Sequence, residues 1–234
     1  PVGPNIQKLG NLIKNFPGSS FATIVDNIDS AKAITSEIGN RSNPVRLFID
    51  INCGMNRTGI SFNGSLDRLR EWIDKEPSAT LSGLHVYDGH LHQPKLENRK
   101  DAVIKINNLI RNFLRSNTVP EVVVGGSPTF GLWANLTEWN LSPGTVILWD
   151  AGYARAYPDL DFSIASCLLT RVISRPEMDL ICVDLGHKSI AAENPIHDRV
   201  FFPDLNDYQI IGHSEEHLMI KTTHSEGYEP GHLL

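Results

Sequence analysis

Up to about residue 150 the sequence alternates between short apolar runs and amphipathic helical patterns, and this alternation limits the possible folds more than any other feature. The chain opens with Ile6, Leu9, Ile13 and Phe16 at helical spacing, stopped by Pro17-Gly18. A strand is expected at 21–26, then a helix at 29–39 with an acidic cap and a closing glycine. The apolar run 45–51 suits a strand buried on both faces, and 65–75 places Leu66, Leu69 and Ile73 on one side of a helix. A strand at 81–88, a long amphipathic helix at 96–114, a strand at 122–126, a short helix at 131–139 and a strand at 145–149 complete the series. Strict alternation of this kind implies a parallel sheet with helices packed outside it.

Five strands cannot close a parallel barrel, which needs eight. An open doubly wound sheet normally carries a glycine-rich phosphate fingerprint after its first strand, and none follows Val25. The expectation is therefore an α/β chain built on a (β/α)8 TIM-type barrel with some of its strands missing from these residues. Beyond residue 150 the helical spacing ends. Segments 165–174 and 180–184 read as strands joined across 175–179, and 208–211 and 217–222 read as later short strands. The second region is expected to be a mainly antiparallel β domain, with the domains at 1–152 and 153–234.

Composition narrows the function classes. With 41% hydrophobic and 21% charged residues, the 234-residue chain has the make-up of an ordinary globular protein. A formal net charge of −6, a pI near 5.8 and the lack of any basic run argue against nucleic acid as a partner. Cys53, Cys167 and Cys182 are scattered without C-x-x-C spacing, which fits a reducing compartment better than a disulfide framework. No run of 18 apolar residues and no leader pattern occurs, so a cytoplasmic protein without membrane partners is expected.

The residues that point to chemistry sit at the C-terminal ends of the strands, where parallel α/β proteins bind ligands. An arbitrary arginine is a surface residue, but Arg57 lies in a loop bracketed by Gly54 and Gly59 at a strand end. Tyr87-Asp88-Gly89-His90 ends the next strand, where a tyrosine can contact a planar ligand or can equally occupy an ordinary turn. His85 shares the strand face of Tyr87, and His90 and His92 serve either a substrate or the loop. Gly125-Gly126-Ser127-Pro128-Thr129 offers backbone N–H groups, two hydroxyls and a helix N-terminus, the ingredients of a phosphate cup, although such a run is also a common turn. Ser142-Pro143-Gly144-Thr145 precedes the expected last strand and closes the cup from the other side.

These segments, in this order, resemble the fold-type III pyridoxal phosphate proteins with an alanine-racemase-like barrel, and within them the group of D-threonine aldolase and D-serine dehydratase. The likeness rests on Asp50-Ile-Asn-Cys-Gly-Met-Asn-Arg-Thr-Gly59, Gly83-Leu-His-Val-Tyr-Asp-Gly-His90, Gly125-Gly-Ser-Pro-Thr129, Pro143-Gly-Thr145 with Asp150-Ala-Gly-Tyr153, and Asp184-Leu-Gly-His-Lys188. It spans essentially the whole chain. The resemblance implies pyridoxal 5'-phosphate as cofactor, with Arg57 beside its ring and phenolic oxygen and Tyr87 near the pyridine ring. It also implies phosphate contacts from Gly126, Ser127, Gly144 and Thr145.

The same resemblance implies a Schiff-base lysine on the first barrel strand, upstream of Pro1, and a divalent zinc or manganese ion whose His-x-Cys or His-x-Asp ligands lie past Leu234. The chain is accordingly expected to be an incomplete version of a longer protein, with neither the lysine nor metal ligands of its own. Lys188 falls in the β domain, which points to hydrogen bonding or loop anchoring. His187, His213, His217 and Glu215-Glu216 lack metal-ligand spacing. The implied activity is a lyase acting on D-amino acids that bear a β-hydroxyl, by aldol cleavage or dehydration, in a homodimer. A racemase of the same fold would draw a second base from Tyr153, Tyr208 or Tyr228. A carrier that binds pyridoxal phosphate without turnover would lack the β domain that residues 160–234 supply here, and the missing lysine would suit an inactive fragment with an interaction role.

Overall fold

In the computed structural model, which describes residues Pro1–Leu234, five parallel strands run β1 (Ala22–Val25), β2 (Val45–Asp50), β3 (Ala79–Val86), β4 (Glu121–Val124) and β5 (Asn140–Leu141), side by side in chain order. Helices α1 (Pro4–Asn15), α2 (Ile28–Ile38), α3 (Gly64–Lys75), α4 (Leu96–Leu114) and α5 (Phe130–Ala134) alternate with them. Together they make the first of two compact units, Pro1–Ile147. The expected barrel does not close within this chain: β1 and β5 are the edges of an open sheet.

Side-chain parity explains which face is packed. Leu47, Ile49, Leu84, Val86, Val122 and Val124 are buried together with Ile34 of α2, Leu66, Leu69 and Ile73 of α3, and Val103, Ile106 and Ile110 of α4. Truncating one such fully buried leucine, Leu47 or Leu84, would cost roughly 2–5 kcal/mol. The opposite face is not packed in the same way, which corrects the expectation that 45–51 is buried on both sides: Ile24 is 45% exposed and Arg46 is half-buried. In the parallel register Phe48 pairs with Gly83 and Asp50 with His85, so these residues form successive rows on that face. Gly83 is required there, because a Cβ would meet the Glu121 carbonyl oxygen at 2.1 Å and the Phe48 ring at 2.9 Å.

Helix boundaries follow local chemistry. The cap of α2 is Asn27, whose side chain accepts from the Ser30 N–H, while Asp29 sits in the first turn; the expected acidic cap is displaced by two residues. α4 spans the residues expected for it, and α5 is shorter than expected. The strand expected at 145–149 is a 3-10 turn, Thr145–Ile147, followed by Trp149 at φ 30, and the edge position of the sheet is taken by β5, pairing with Val123 and Val124.

The second unit, Leu148–Leu234, begins with α6 (Ala151–Ala156), capped by the Asp150 side chain accepting from the Tyr153 N–H. Its antiparallel sheet contains β6 (Val172–Glu177), β7 (Leu180–Val183), β8 (Tyr208–His213) and β9 (Leu218–Thr222) in the order β6-β7-β9-β8. The first of these strands starts later than expected and runs through Pro176, so the turn to β7 is only Met178 and Asp179. A proline is admissible because β6 is an edge strand. Val172, Ile181, Val183, Leu218 and Ile220 are fully buried and form the core of this unit. No helix of the chain is long and apolar enough to cross a membrane.

Candidate functional site

All six residues expected to meet a cofactor lie at the C-terminal end of the five-stranded sheet. The loop after β2 carries Arg57. It is a closed excursion: the Asn52 N–H donates to the Ile60 carbonyl and the Ile60 N–H to the Asp50 carbonyl. Gly59 completes the return at φ 98, where a Cβ would lie 2.5 Å from the Asn52 nitrogen, and its N–H donates to the Asp26 carboxylate at 3.0 Å. Arg57 is exposed, and its guanidinium carbon lies 5.1 Å from the centroid of the Tyr87 ring, a cation–π contact.

Tyr87 is wedged between glycines. A Cβ on Gly89 would sit 2.3 Å from two atoms of the tyrosine ring, and one on Gly126 would sit 3.2 Å from the other ring edge. The two small residues therefore let the loop after β4 approach the loop after β3. Beyond Gly126, the Ser127 Oγ lies 3.1 Å from the Thr145 Oγ1, which joins the loops after β4 and β5. Ser127 is buried, whereas Gly144 and Thr145 are exposed and a Cβ on Gly144 would enter open space. The N–H groups of Ser127 and Gly144 have no backbone acceptor in the chain. Two hydroxyls and two N–H donors on adjacent loops are a donor set suited to a phosphate. The second hydroxyl expected in the cup, Thr129, instead turns inward and is fully buried. The helix that begins there, α5, has only five residues and adds little dipole.

Two buried carboxylates support these loops. Asp50 is 5% exposed; one of its oxygens accepts from Thr58 Oγ1 at 2.8 Å, and the other lies 2.7 Å from the His85 Nδ1. With Asp50 ionised, a neutral His85 imidazole donates from Nδ1 and leaves Nε2 as an acceptor. Asp50, His85, Thr58, Arg57 and Tyr87 line one cleft. Asp88 is 1% exposed and takes hydrogen bonds from Thr129 Oγ1 and Trp133 Nε1, each at 2.8 Å. Burial pushes its carboxyl above the ordinary carboxylate value, against the pull of those two donors. Burial, with the Asp88 charge behind it, also pushes the Cys53 thiol up to about 12, and that thiol donates to the Tyr87 carbonyl. Nothing in the sequence separates Asp50 and Asp88 from other strand-end aspartates. The usable signal is adjacency, since consecutive parallel strands pair and bring Asp50 level with His85.

The remaining candidates are held elsewhere. The His90 imidazole packs on Gly54, and His92 is exposed. Lys188, in the second unit, is anchored by Glu216 at 2.6 Å and Glu215 at 3.6 Å; its bond to Glu216 raises its pKa, which keeps the amine charged. His187 and His213 meet edge to face with ring centroids 4.2 Å apart, and burial lowers the His213 pKa, assisted by His187 and Arg199. The side chains of the chain assemble no group of three or more potential metal ligands, so these residues do not by themselves fit a metal ion.

With this geometry in place, the matches to known proteins acquire a structural meaning. The alanine racemase N-terminal domain family matches residues 10–150, more than half of the chain and all of the strand-end loops described above. The chain belongs to that family. Residues 165–234, beyond the alanine racemase N-terminal domain, match a putative serine dehydratase domain. No curated protein sequence matches the chain. Among solved structures, D-threonine aldolase from Filomicrobium marinum superposes with a TM-score of 0.86 at 23% identity, covering 100% of this chain and 64% of that one. An alanine racemase-like protein from Idiomarina loihiensis gives 0.78 at 20% identity, covering 99% and 68%. D-threo-3-hydroxyaspartate dehydratase from Delftia sp. HT23 gives 0.68 at 14% identity, covering 99% and 69%. At these identities the likeness is one of fold, and the chain spans about two thirds of the length of these proteins.

Proposed function

We propose that this chain carries the cofactor-binding part of a pyridoxal 5'-phosphate-dependent lyase acting on D-amino acids with a β-hydroxyl, of the D-threonine aldolase or D-serine dehydratase type. The observation that carries the reading is the hydroxyl pair Ser127 and Thr145, 3.1 Å apart, on the same sheet end as Tyr87 and Arg57. The match of 165–234 to a putative serine dehydratase domain favours a lyase over a racemase.

In this reading Ser127, Thr145 and the N–H groups of Ser127 and Gly144 hold the phosphate, and Gly126 keeps the approach free of side-chain bulk. Tyr87, fixed by its two glycine neighbours, would line the side of the ring, and Arg57 would supply positive charge to it. When bound, the cofactor's pyridine ring supplies a sink for the electron pair released at the substrate Cα. His85, with Nδ1 committed to Asp50, can accept or return a proton at Nε2 in the same cleft.

The test has two parts. Absorbance titration of the chain with pyridoxal phosphate and with unphosphorylated pyridoxal should give tighter binding of the phosphorylated form; equal binding would remove the phosphate site. The full-length protein, supplied with pyridoxal phosphate and a divalent metal, should release glycine and acetaldehyde from D-threonine or pyruvate and ammonia from D-serine. Racemisation of alanine without either lyase activity would replace the lyase reading with the racemase one.

A further inference from the structure

The proposed phosphate cup is itself held up by a group that never reaches its surface. Thr129 Oγ1 accepts from the Gly126 N–H at 3.1 Å and has Asp88 Oδ1, at 2.8 Å, as the nearer of two acceptors for its proton, the Gly126 carbonyl lying at 3.3 Å. The second Asp88 oxygen takes the Trp133 indole N–H, one turn further along the same segment. Both donors come from the stretch that follows β4, more than 40 residues beyond Asp88 in sequence. Gly126 also lies beside the same carboxylate, since a Cβ there would be in van der Waals contact with Asp88 Oδ1 at 3.4 Å. A buried carboxylate is an expensive way to join two strand ends, because an apolar pair does that work without desolvating a charge. What a carboxylate adds is two acceptors in fixed directions, and here both are spent on the segment that carries the cup.

We infer that Asp88 is the positioning residue of the 126–129 loop: through Thr129 and Trp133 it holds the loop in the shape that receives a phosphate, and so sets the preference for a phosphorylated over an unphosphorylated ligand. The inference rests on the pyridoxal phosphate reading. It also opposes simple electrostatics, by which removing a negative charge beneath an anion site would strengthen phosphate binding.

The experiment compares Asp88→Asn, Thr129→Val and Thr129→Ser with the unaltered chain. Dissociation constants for pyridoxal phosphate and pyridoxal are measured by absorbance titration, and amide hydrogen exchange is followed across 126–129. In Asp88→Asn and Thr129→Val the dissociation constant for pyridoxal phosphate should rise about tenfold, the scale of one lost charge-assisted hydrogen bond, while that for pyridoxal moves less than about twofold. Exchange at the amides of residues 126 and 129 should quicken in both variants, and Thr129→Ser, which keeps the hydroxyl, should behave as the unaltered chain. An unchanged or increased preference for the phosphorylated ligand in both would overturn the inference. If Asp88→Asn does not fold, Thr129→Val decides alone. If the unaltered chain shows no phosphate preference, the cofactor reading fails, and exchange then decides Asp88: unchanged rates overturn its positioning role, faster rates uphold it.

Discussion

Ser127 and Thr145, eighteen residues apart, hold each other by a 3.1 Å hydrogen bond between their hydroxyls and thereby fasten the loop after β4 to the loop after β5. The bond fixes the spacing of the two hydroxyls, and an anion would have to displace it to take both protons.

Ser127→Ala and Thr145→Val should each weaken pyridoxal phosphate binding about tenfold, and the double variant should lose less than the product of the two. Stability should change by no more than about 1 kcal/mol per variant. Titration and thermal melts on the four proteins of the cycle check both statements.

Gly89→Ala tests the wedge around Tyr87. The new Cβ would lie 2.3 Å from the ring, so the ring must move or the loop must distort, at a cost of about 1–3 kcal/mol. Paired with Tyr87→Ala, the same change should cost little, because the colliding ring is gone. A chemical-denaturation comparison of single and double variants measures the difference.

Acid sensitivity of the second unit should depend on Asp184. The Arg171 N–H at 2.7 Å and the Thr170 hydroxyl at 2.8 Å hold its carboxyl below the ordinary carboxylate value. The folded state therefore binds the proton less readily than the unfolded chain. The stabilisation is complete above the unfolded value and is lost as pH falls through the folded one. Between about pH 5 and pH 3 the unaltered protein should lose more stability than Asp184→Asn, as read from denaturation midpoints.

Thiol labelling should single out one cysteine. Cys167 is exposed, Cys182 is buried with its pKa raised by burial, and the Cys53 thiol stands near 12. At about pH 8 a thiol reagent should modify Cys167 first, and mass analysis of the peptides identifies the site.

Much of this architecture was legible from periodicity. α3 and α4 are long enough for their apolar stripes to repeat, and Leu66, Leu69 and Ile73 are buried where the spacing puts them. The run at 145–149 shows the limit. Five apolar or β-branched residues have no period that separates a strand from a turn, and Ile147 and Leu148 end up 77% and 51% exposed. The strand that does form there, Asn140–Leu141, is two residues long and is defined by its pairing with β4 rather than by its own composition. The site divides in the same way. The strand-end positions of Arg57, Tyr87, Ser127 and Thr145 are visible because strand ends followed by glycine or hydroxyl residues advertise themselves. The partners of Asp50 and Asp88 are created by register and by contacts across the strand ends, which no local pattern encodes.

The indole of Trp133, fully buried and bonded to Asp88, gives the molecule a built-in optical probe. Its emission responds to the polarity and hydrogen bonding around the ring, and the Trp139 ring centroid lies 6.2 Å away. A chromophore seated a few residues away on the Ser127 loop would quench that light by energy transfer. Binding of such a chromophore at the proposed cup would thus be readable in the ultraviolet, as the Trp133-dependent part of the emission of the chain's four tryptophans.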